Sequence, residues 1–260
     1  HAEGDSHLSI NRVVSRPYID MTLEIAEDMG LRHRVEEQED GGLGIVIPGG
    51  QRAAAIDTTI DGDWSGSSFL LALGALCAPH HLDVEGLHST YTQADEAIRG
   101  ALLFAGGALS GIDGGIQVAK RPVRAFQIDL NESPDLFPVM AALAAFGKKP
   151  STLKGIGRLI HKESNRAEVI QTTWESLGIR VQLDADADTM TVHPWGNNRP
   201  TMLSTVHPHG DHRMVMALSV LAIGGSGPIE IEDAECVAKS YPEFFDDLET
   251  LGAILQVVRK

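Results

Sequence analysis

A spacing of roughly seventy residues runs through this sequence and sets the terms on which it can fold. Helix-like segments end in an apolar residue or glycine plus a glycine at Met29-Gly30, Gly106-Gly107, Leu177-Gly178 and Leu251-Gly252. The second members, Gly30, Gly107, Gly178 and Gly252, are 77, 71 and 74 residues apart. Glycine just past a helix is the usual left-handed stop. A second series opens helices: Asp63, Asp135 and Asp211, with gaps of 72 and 76 residues, each stand before an apolar stretch. Those stretches, Phe69–Cys77, Leu136–Phe146 and Met214–Ile223, are apolar on nearly every side, which predicts helices buried in the middle of a domain. Self-similarity at a fixed period outranks local propensity in deciding a fold.

Between these helices lie segments rich in β-formers: His81–Gly86, Gly115–Lys120, Arg124–Leu130, Arg180–Asp184, Met190–His193, Ile229–Glu232 and Ile254–Val258. The unit is therefore strand, buried helix, strand, amphipathic helix, two strands. Pro17–Met29 is the amphipathic type, with Tyr18, Met21, Ile25 and Met29 at helical spacing and Ser15 available as a cap. The expected architecture is α/β (α+β), built from repeated βαβαββ units around buried helices. The expected division is 1–55, the last repeat of a first domain, and 56–260, a second domain of three repeats. The chain opens at His1 and enters a strand-like run at Leu8–Val14, so it reads as beginning partway through a module.

Charge narrows the function classes. Lys and Arg number 21 against 36 Asp and Glu, a net charge of −15. Such an excess of carboxylates argues against nucleic-acid binding, which wants a basic face. It leaves room for a small anionic substrate, because a few clustered cations can set the potential of one cleft. The longest nearly apolar stretch, Leu136–Gly147, is too short to cross a bilayer and contains Pro138. With only Cys77 and Cys236 there is no disulfide framework, and a reducing, cytoplasmic setting fits. His207-Pro208-His209 with His212 reads as a loop histidine patch rather than a metal centre. Gly41–Gly44 and Gly224–Gly227 lack a phosphate-loop or dinucleotide pattern and read as turns.

The reactive residues gather at helix starts, where free N–H groups and the helix dipole favour anions. They are Ser15 to Asp20, Asp135, Lys162 to Arg166, Asp211 to Arg213, and Lys239 to Pro242. Equivalent points of stacked repeats tend to face one side. Lys162 and Arg166 share a helix face, with Glu163 three residues before Arg166. An anion grip and a solvated helix face both carry that pattern. Asp135, after Ser133-Pro134, fits a helix cap as well as a catalyst, and Asp211-His212-Arg213 fits a cap followed by surface charge. Ser15 and Tyr18 fit a cap and a core aromatic.

Taken in order, the strings Val14-Ser15-Arg16-Pro17-Tyr18-Ile19-Asp20, Gly62-Asp63-Trp64-Ser65, Ser133-Pro134-Asp135-Leu136-Phe137-Pro138, Lys162-Glu163-Ser164-Asn165-Arg166, Asp211-His212-Arg213-Met214 and Ala238-Lys239-Ser240-Tyr241-Pro242 resemble the enolpyruvylshikimate-phosphate synthase family. The resemblance runs over essentially the whole chain and matches the later three-fifths of a family member. It implies an inverse α/β enolpyruvyl-transferase fold of two domains, each of three repeats, with the site in the cleft between them. It also implies that a Lys-Ser pair, a further Arg, an Asn-Ala-Gly stretch and a Ser-Ser-Gln motif belong to a complementary N-terminal segment. One departure is local: Asn165 stands where the family commonly has an acidic residue.

The resemblance implies transfer of the enolpyruvyl group of phosphoenolpyruvate to the 5-hydroxyl of shikimate 3-phosphate, with release of phosphate. Asp135 and Glu163 would be catalytic. Ser15, Tyr18, Asp135 and Lys162 would bind shikimate 3-phosphate, and Arg166, Arg213 and Lys239 phosphoenolpyruvate. No metal or organic cofactor is implied. Two other readings stay open: a folded fragment that binds anions without turnover, and a sister enzyme with a UDP-sugar acceptor. The Ser-Arg-Pro-Tyr-Ile-Asp and Lys-Glu-Ser-Asn-Arg strings favour the shikimate branch over the sugar-nucleotide one.

Overall fold

The computed structural model describes residues 2–39, 41–196, 203–225 and 227–258. The turn expected at Gly224–Gly227 includes Ser226, which lies outside the described residues. The chain divides into two compact units, His1–Gly62 with Gly86–Ala94, and Asp63–Glu85 with Asp95–Lys260.

In the first unit, β1 (Ser6–Ile10), α1 (Arg16–Asp28), β2 (Arg34–Glu37) and β3 (Leu43–Ile47) follow one another. The strands form an antiparallel sheet in the order β1-β3-β2, with Ile45 of β3 opposite both Leu8 and Val35. Leu43 and Ile45 are its buried centre. Segment 86–94 joins this unit through hydrogen bonds. The Thr90 and Tyr91 N–H groups donate to Asp61 Oδ2, Thr92 Oγ1 to Glu24 at 2.6 Å, and Tyr91 Oη to Asp28 at 2.6 Å. Tyr18, Met21 and Ile25 on α1 and Met29 at its C-cap are half-buried, and no residue of that helix is fully buried. Ser15 occupies the N-cap position but does not cap. Its φ of 53° is left-handed, whereas a capping side chain needs an extended backbone to reach the first-turn N–H groups.

The second unit contains α2 (Trp64–Cys77), β4 (Leu82–Glu85), α3 (Ile98–Phe104), β5 (Ala108–Ile112), β6 (Gly115–Ala119), β7 (Gln127–Asp129), α4 (Phe137–Ala144), β8 (Ser151–Lys154), α5 (Arg166–Ser176), β9 (Val181–Asp184), β10 (Thr189–Val192), β11 (Ser204–Val206), α6 (His212–Gly224), β12 (Ile229–Ile231) and α7 (Phe244–Thr250). Residues 127–192 make the complete module. Its sheet runs β7-β8-β10-β9, with β7 parallel to β8 and the other pairs antiparallel. The other sheets are parts of that pattern. The orders β4-β6-β5 and, in the first unit, β1-β3-β2 reproduce its antiparallel three-strand portion, and the parallel pair β11-β12 reproduces β7-β8. The left-handed glycines after the second helices are Gly30, Gly106, Gly178 and Gly252, spaced 76, 72 and 74 residues. The stop after α3 is thus Gly106 rather than Gly107.

The three apolar helices α2, α4 and α6 pack on one another as the core. Every residue of α4 is buried, and Phe69, Leu71, Met214 and Leu218 are without exposure. Fully burying a side chain of that size contributes about 1.5–3 kcal/mol. Trp174 closes one side by donating from Nε1 to Ala141 O at 3.3 Å. At Gly74, α2 comes so close to the sheet that an added Cβ would meet Val118 Cγ1 at 2.4 Å. The strand expected at Ile254–Val258 is not formed. Ile254 is fully exposed and Val257 82% exposed, so the segment's β-formers have no sheet to pack on among the described residues.

Candidate active site

The three buried helices begin in a shared polar network. Asp63, the N-cap of α2, accepts from the N–H groups of Ser65 and Gly66 at 2.8 and 3.0 Å. Asp211, the N-cap of α6, accepts from Arg213 N at 3.0 Å. These two hold the extended backbone that capping requires, at φ −75° and −96°. The third equivalent, Asp135, lies in the short 3-10 turn Pro134–Leu136 ahead of α4, and that turn has no side-chain cap. Asp135 is released from capping, and its carboxylate meets cations instead.

Asp135 Oδ1 accepts from Lys162 Nζ at 3.0 Å and Arg166 Nη1 at 2.9 Å, and Oδ2 lies 3.2 Å from Arg213 Nη2. Burial by itself would raise the Asp135 pKa; the charges of Arg213, Lys162 and Arg166 outweigh it and hold the carboxyl down to about 2. Arg213 Nη1 donates to Ser65 Oγ, tying the start of α6 to the start of α2. Helix N-termini so joined present unpaired N–H groups and positive dipole ends to one region.

Arg166, the first residue of α5, is the hub. Its side chain has no solvent exposure. Nε donates to Asp211 Oδ2 at 2.8 Å, Nη2 to Asp211 Oδ1 at 3.2 Å and to Glu163 Oε2 at 2.8 Å, and Nη1 to Asp135. A planar fork of five donors is what three carboxylates in different directions need, and a lysine cannot supply it. Most of the guanidinium is committed to protein carboxylates, so Arg166 here orders the acids. Lys239, at the end of the 3-10 turn Ala234–Lys239, is 58% exposed and lies 3.6 Å from Glu163 Oε1. Unlike Arg166, the cations Lys162, Arg213 and Lys239 of this network keep some solvent exposure. His212 is buried beside Arg213; burial first, and the Arg213 charge second, push its pKa below the ordinary histidine range. Asn165 holds the N-cap position of α5 without a side-chain cap bond, and its buried Oδ1 has no partner among the described residues.

The second unit thus brings together Asp135, Lys162, Glu163, Arg166, Arg213 and Lys239 in one connected network. Ser15 and Tyr18 belong to the first unit, at the start of α1, where Tyr18 is half-buried. Two participants went unrecognised in the sequence as more than cap residues or motif members. Asp211 is a fully buried counter-charge as well as a cap, and Ser65 is the partner of Arg213. The 72- and 76-residue spacing that aligns Asp63, Asp135 and Asp211 was the available signal for the first.

Repeated βαβαββ modules, with buried helices opening onto a mixed cluster of acids and cations, define an α/β enolpyruvyl-transferase fold. Solved structures agree: an EPSP synthase from Acinetobacter baumannii matches with a TM-score of 0.81 at 21% identity, over 99% of this chain and 59% of that one. The enolpyruvyl transferase NikO from Streptomyces tendae matches at 0.71 and 18% identity, over 98% and 57%. The chain belongs to the EPSP synthase (3-phosphoshikimate 1-carboxyvinyltransferase) family, whose pattern it matches over residues 1–248. Curated relatives named 3-phosphoshikimate 1-carboxyvinyltransferase include those of Aeropyrum pernix, 33% identical over 98% of this chain and 57% of the relative, and Dehalococcoides mccartyi, 34% identical over 92% and 54%. The chain therefore spans somewhat more than half the length of these relatives.

Proposed function

We propose that this chain carries the acid–base and phosphoenolpyruvate-binding machinery of a 3-phosphoshikimate 1-carboxyvinyltransferase, acting on phosphoenolpyruvate and shikimate 3-phosphate. The observation that carries the reading is the single ion network joining Asp135, Glu163, Arg166 and Arg213 at the starts of the buried helices. In this reading Asp135 takes the proton of the attacking 5-hydroxyl as its oxygen bonds to C2 of phosphoenolpyruvate. Glu163 gives a proton to the methylene carbon, making it a methyl group. Glu163 then takes a proton back from the methyl group as the C2–O bond to phosphate breaks, which forms the enol ether product, and the departing phosphate carries off the proton that Asp135 took. Assistance of this kind is worth about 10²–10⁴-fold.

Arg213 and Lys239 grip the phosphate and carboxylate of phosphoenolpyruvate, and Arg166 joins them through the carboxylates it orders. Ser15, Tyr18, Lys162 and Asp135 contact shikimate 3-phosphate. A carboxylate held near pKa 2 is a weak base. Two anionic substrates would draw the cations toward themselves and raise its proton affinity at the moment a base is needed. No metal or organic cofactor enters this scheme, since the substrate already carries an enol and a leaving phosphate. We assign residues 1–55 to the last repeat of one domain and 56–260 to three repeats of a second, working in the cytoplasm with the remaining length that the relatives possess.

The test is phosphate release with both substrates, from the 260-residue chain alone and together with the segment of the relatives that it does not match. Turnover that needs the added segment and is lost in Asp135→Ala and Glu163→Ala supports the reading. Turnover unaffected by either substitution overturns it.

A further inference from the structure

We infer that the second unit holds another anion-binding site, a cavity of about 350 Å³ with Arg121, Arg124, Lys148 and Lys149 in its lining, suited to a small phosphate ester with an apolar body. No carboxylate lines this cavity, although acids outnumber cations by 15 across the chain. None of the four side chains has an ion-pair or hydrogen-bond partner among the described residues, in contrast to the network around Arg166. All four residues are exposed, and a set of like charges lining one cavity with no carboxylate among them favours an anion there.

The backbone beneath these cations is fixed. Arg121 N donates to Ala75 O in the last turn of α2 at 3.1 Å, and Arg124 N donates to Ala105 O past the end of α3 at 2.8 Å. Cations commonly gather near helix C-termini because the dipole is negative there. Here the carbonyls of Ala75 and Ala105 accept from backbone N–H groups, and none of the four cationic side chains donates to them. Gly106, at φ +90°, makes room for one of them: a Cβ there would stand 3.0 Å from Arg124 Cγ and 3.1 Å from Cδ. Lys148 and Lys149 follow directly on the turn that ends α4, where Gly147 N donates to Ala144 O at 3.0 Å. Pro122 and Val123 supply an apolar wall. The volume falls within the range of small-molecule sites.

This cavity lies by the C-terminal ends of α2 and α4, whereas the ion network lies by their starts. Ser65 is in the first turn of α2 and Ala75 in its last, so the length of the helix, about 20 Å, separates the two places. A ligand here would not compete with one at Arg213 and Lys239.

Titration of the isotopically labelled protein with phenyl phosphate, followed amide by amide by NMR, tests the inference, with inorganic phosphate as a second arm. Expected are saturable shifts at Gly106, Val123, Arg124 and Lys149 that persist in Lys239→Ala and need at least tenfold more ligand in the Arg121→Gln/Arg124→Gln double variant. Phenyl phosphate should saturate these shifts at lower concentration than inorganic phosphate, because only it can use the apolar wall. Shifts that fail to saturate, that vanish in Lys239→Ala, or that survive the double variant unchanged would overturn the site. Equal affinity for the two ligands would overturn the apolar-body assignment.

Discussion

Arg166 Nε donates to Asp211 Oδ2 at 2.8 Å, and neither side chain is exposed to solvent. This pair joins the first residue of α5 to the cap of α6, and the same guanidinium reaches Asp135 and Glu163. A buried cation among three carboxylates is costly to desolvate, and removing it leaves the buried Asp211 without its counter-charge and strips Asp135 and Glu163 of one partner each. Arg166→Met is therefore expected to destabilise the protein by about 3–5 kcal/mol, measured by urea denaturation. Arg166→Lys should recover little of this, since one ammonium cannot span three directions. Near wild-type stability in either variant would contradict the hub role.

Asp135 contributes a stability that depends on pH. Its folded pKa of about 2 lies below the unfolded value of about 3.9, so its contribution is present in full above pH 4 and is lost as pH falls toward 2. The magnitude is on the order of 2 kcal/mol. The stability gap between wild type and Asp135→Asn, followed by denaturant midpoint, should narrow between pH 5 and pH 2. A gap constant over that range would mean that the surrounding cations do not act on this carboxylate.

Lys239 is the opposite case to Arg166, being 58% exposed and 3.6 Å from its acid. Lys239→Ala should change folding stability by less than about 0.5 kcal/mol. Under the proposed function it should raise the KM for phosphoenolpyruvate about tenfold or more, the equivalent of ~1.4 kcal/mol of binding. A selective loss of shikimate 3-phosphate affinity would show that the two substrate assignments are reversed.

Asp63 does structural work at a position equivalent to Asp135. Asp63→Ala removes the acceptor for two first-turn N–H groups and should cost about 1 kcal/mol in thermal or chemical denaturation. Restoration by Asp63→Asn, which caps as well, would separate capping from charge.

The close approach of α2 to its sheet is testable at Gly74, where a Cβ would lie 2.4 Å from Val118 Cγ1. Gly74→Val should destabilise by about 1–3 kcal/mol or more through overpacking. A stable variant with unchanged near-UV circular dichroism would show that the helix can back away.

Much of the scaffold was legible because the buried helices are apolar on all faces and recur at a fixed interval. Asp63, Asp135 and Asp211 marked the helix starts for the same reason. Their different duties were not legible. Whether an aspartate caps or faces cations depends on its own φ and ψ and on side chains 27 to 78 residues away, such as Lys162 and Arg213. The burial of Asp211 was hidden likewise, because an aspartate after Gly210 reads as a cap and nothing local reveals the guanidinium beside it. The strand expected at Ile254–Val258 but not formed shows the converse limit: β-forming side chains specify a strand only where a neighbouring strand is present to pair with. The stop at Gly106 rather than Gly107 is a finer case, since adjacent glycines offer the turn two equal sites.

Copying one module several times has a consequence for chemistry as well as for architecture. Each copy brings its own aspartate to the mouth of a sealed helix, and two of the three remain occupied with closing that helix. The leftover acid, Asp135, stands at the equivalent point and meets cations instead. A repeated module can in this way leave one of several equivalent side chains clear of structural duty while its siblings keep theirs.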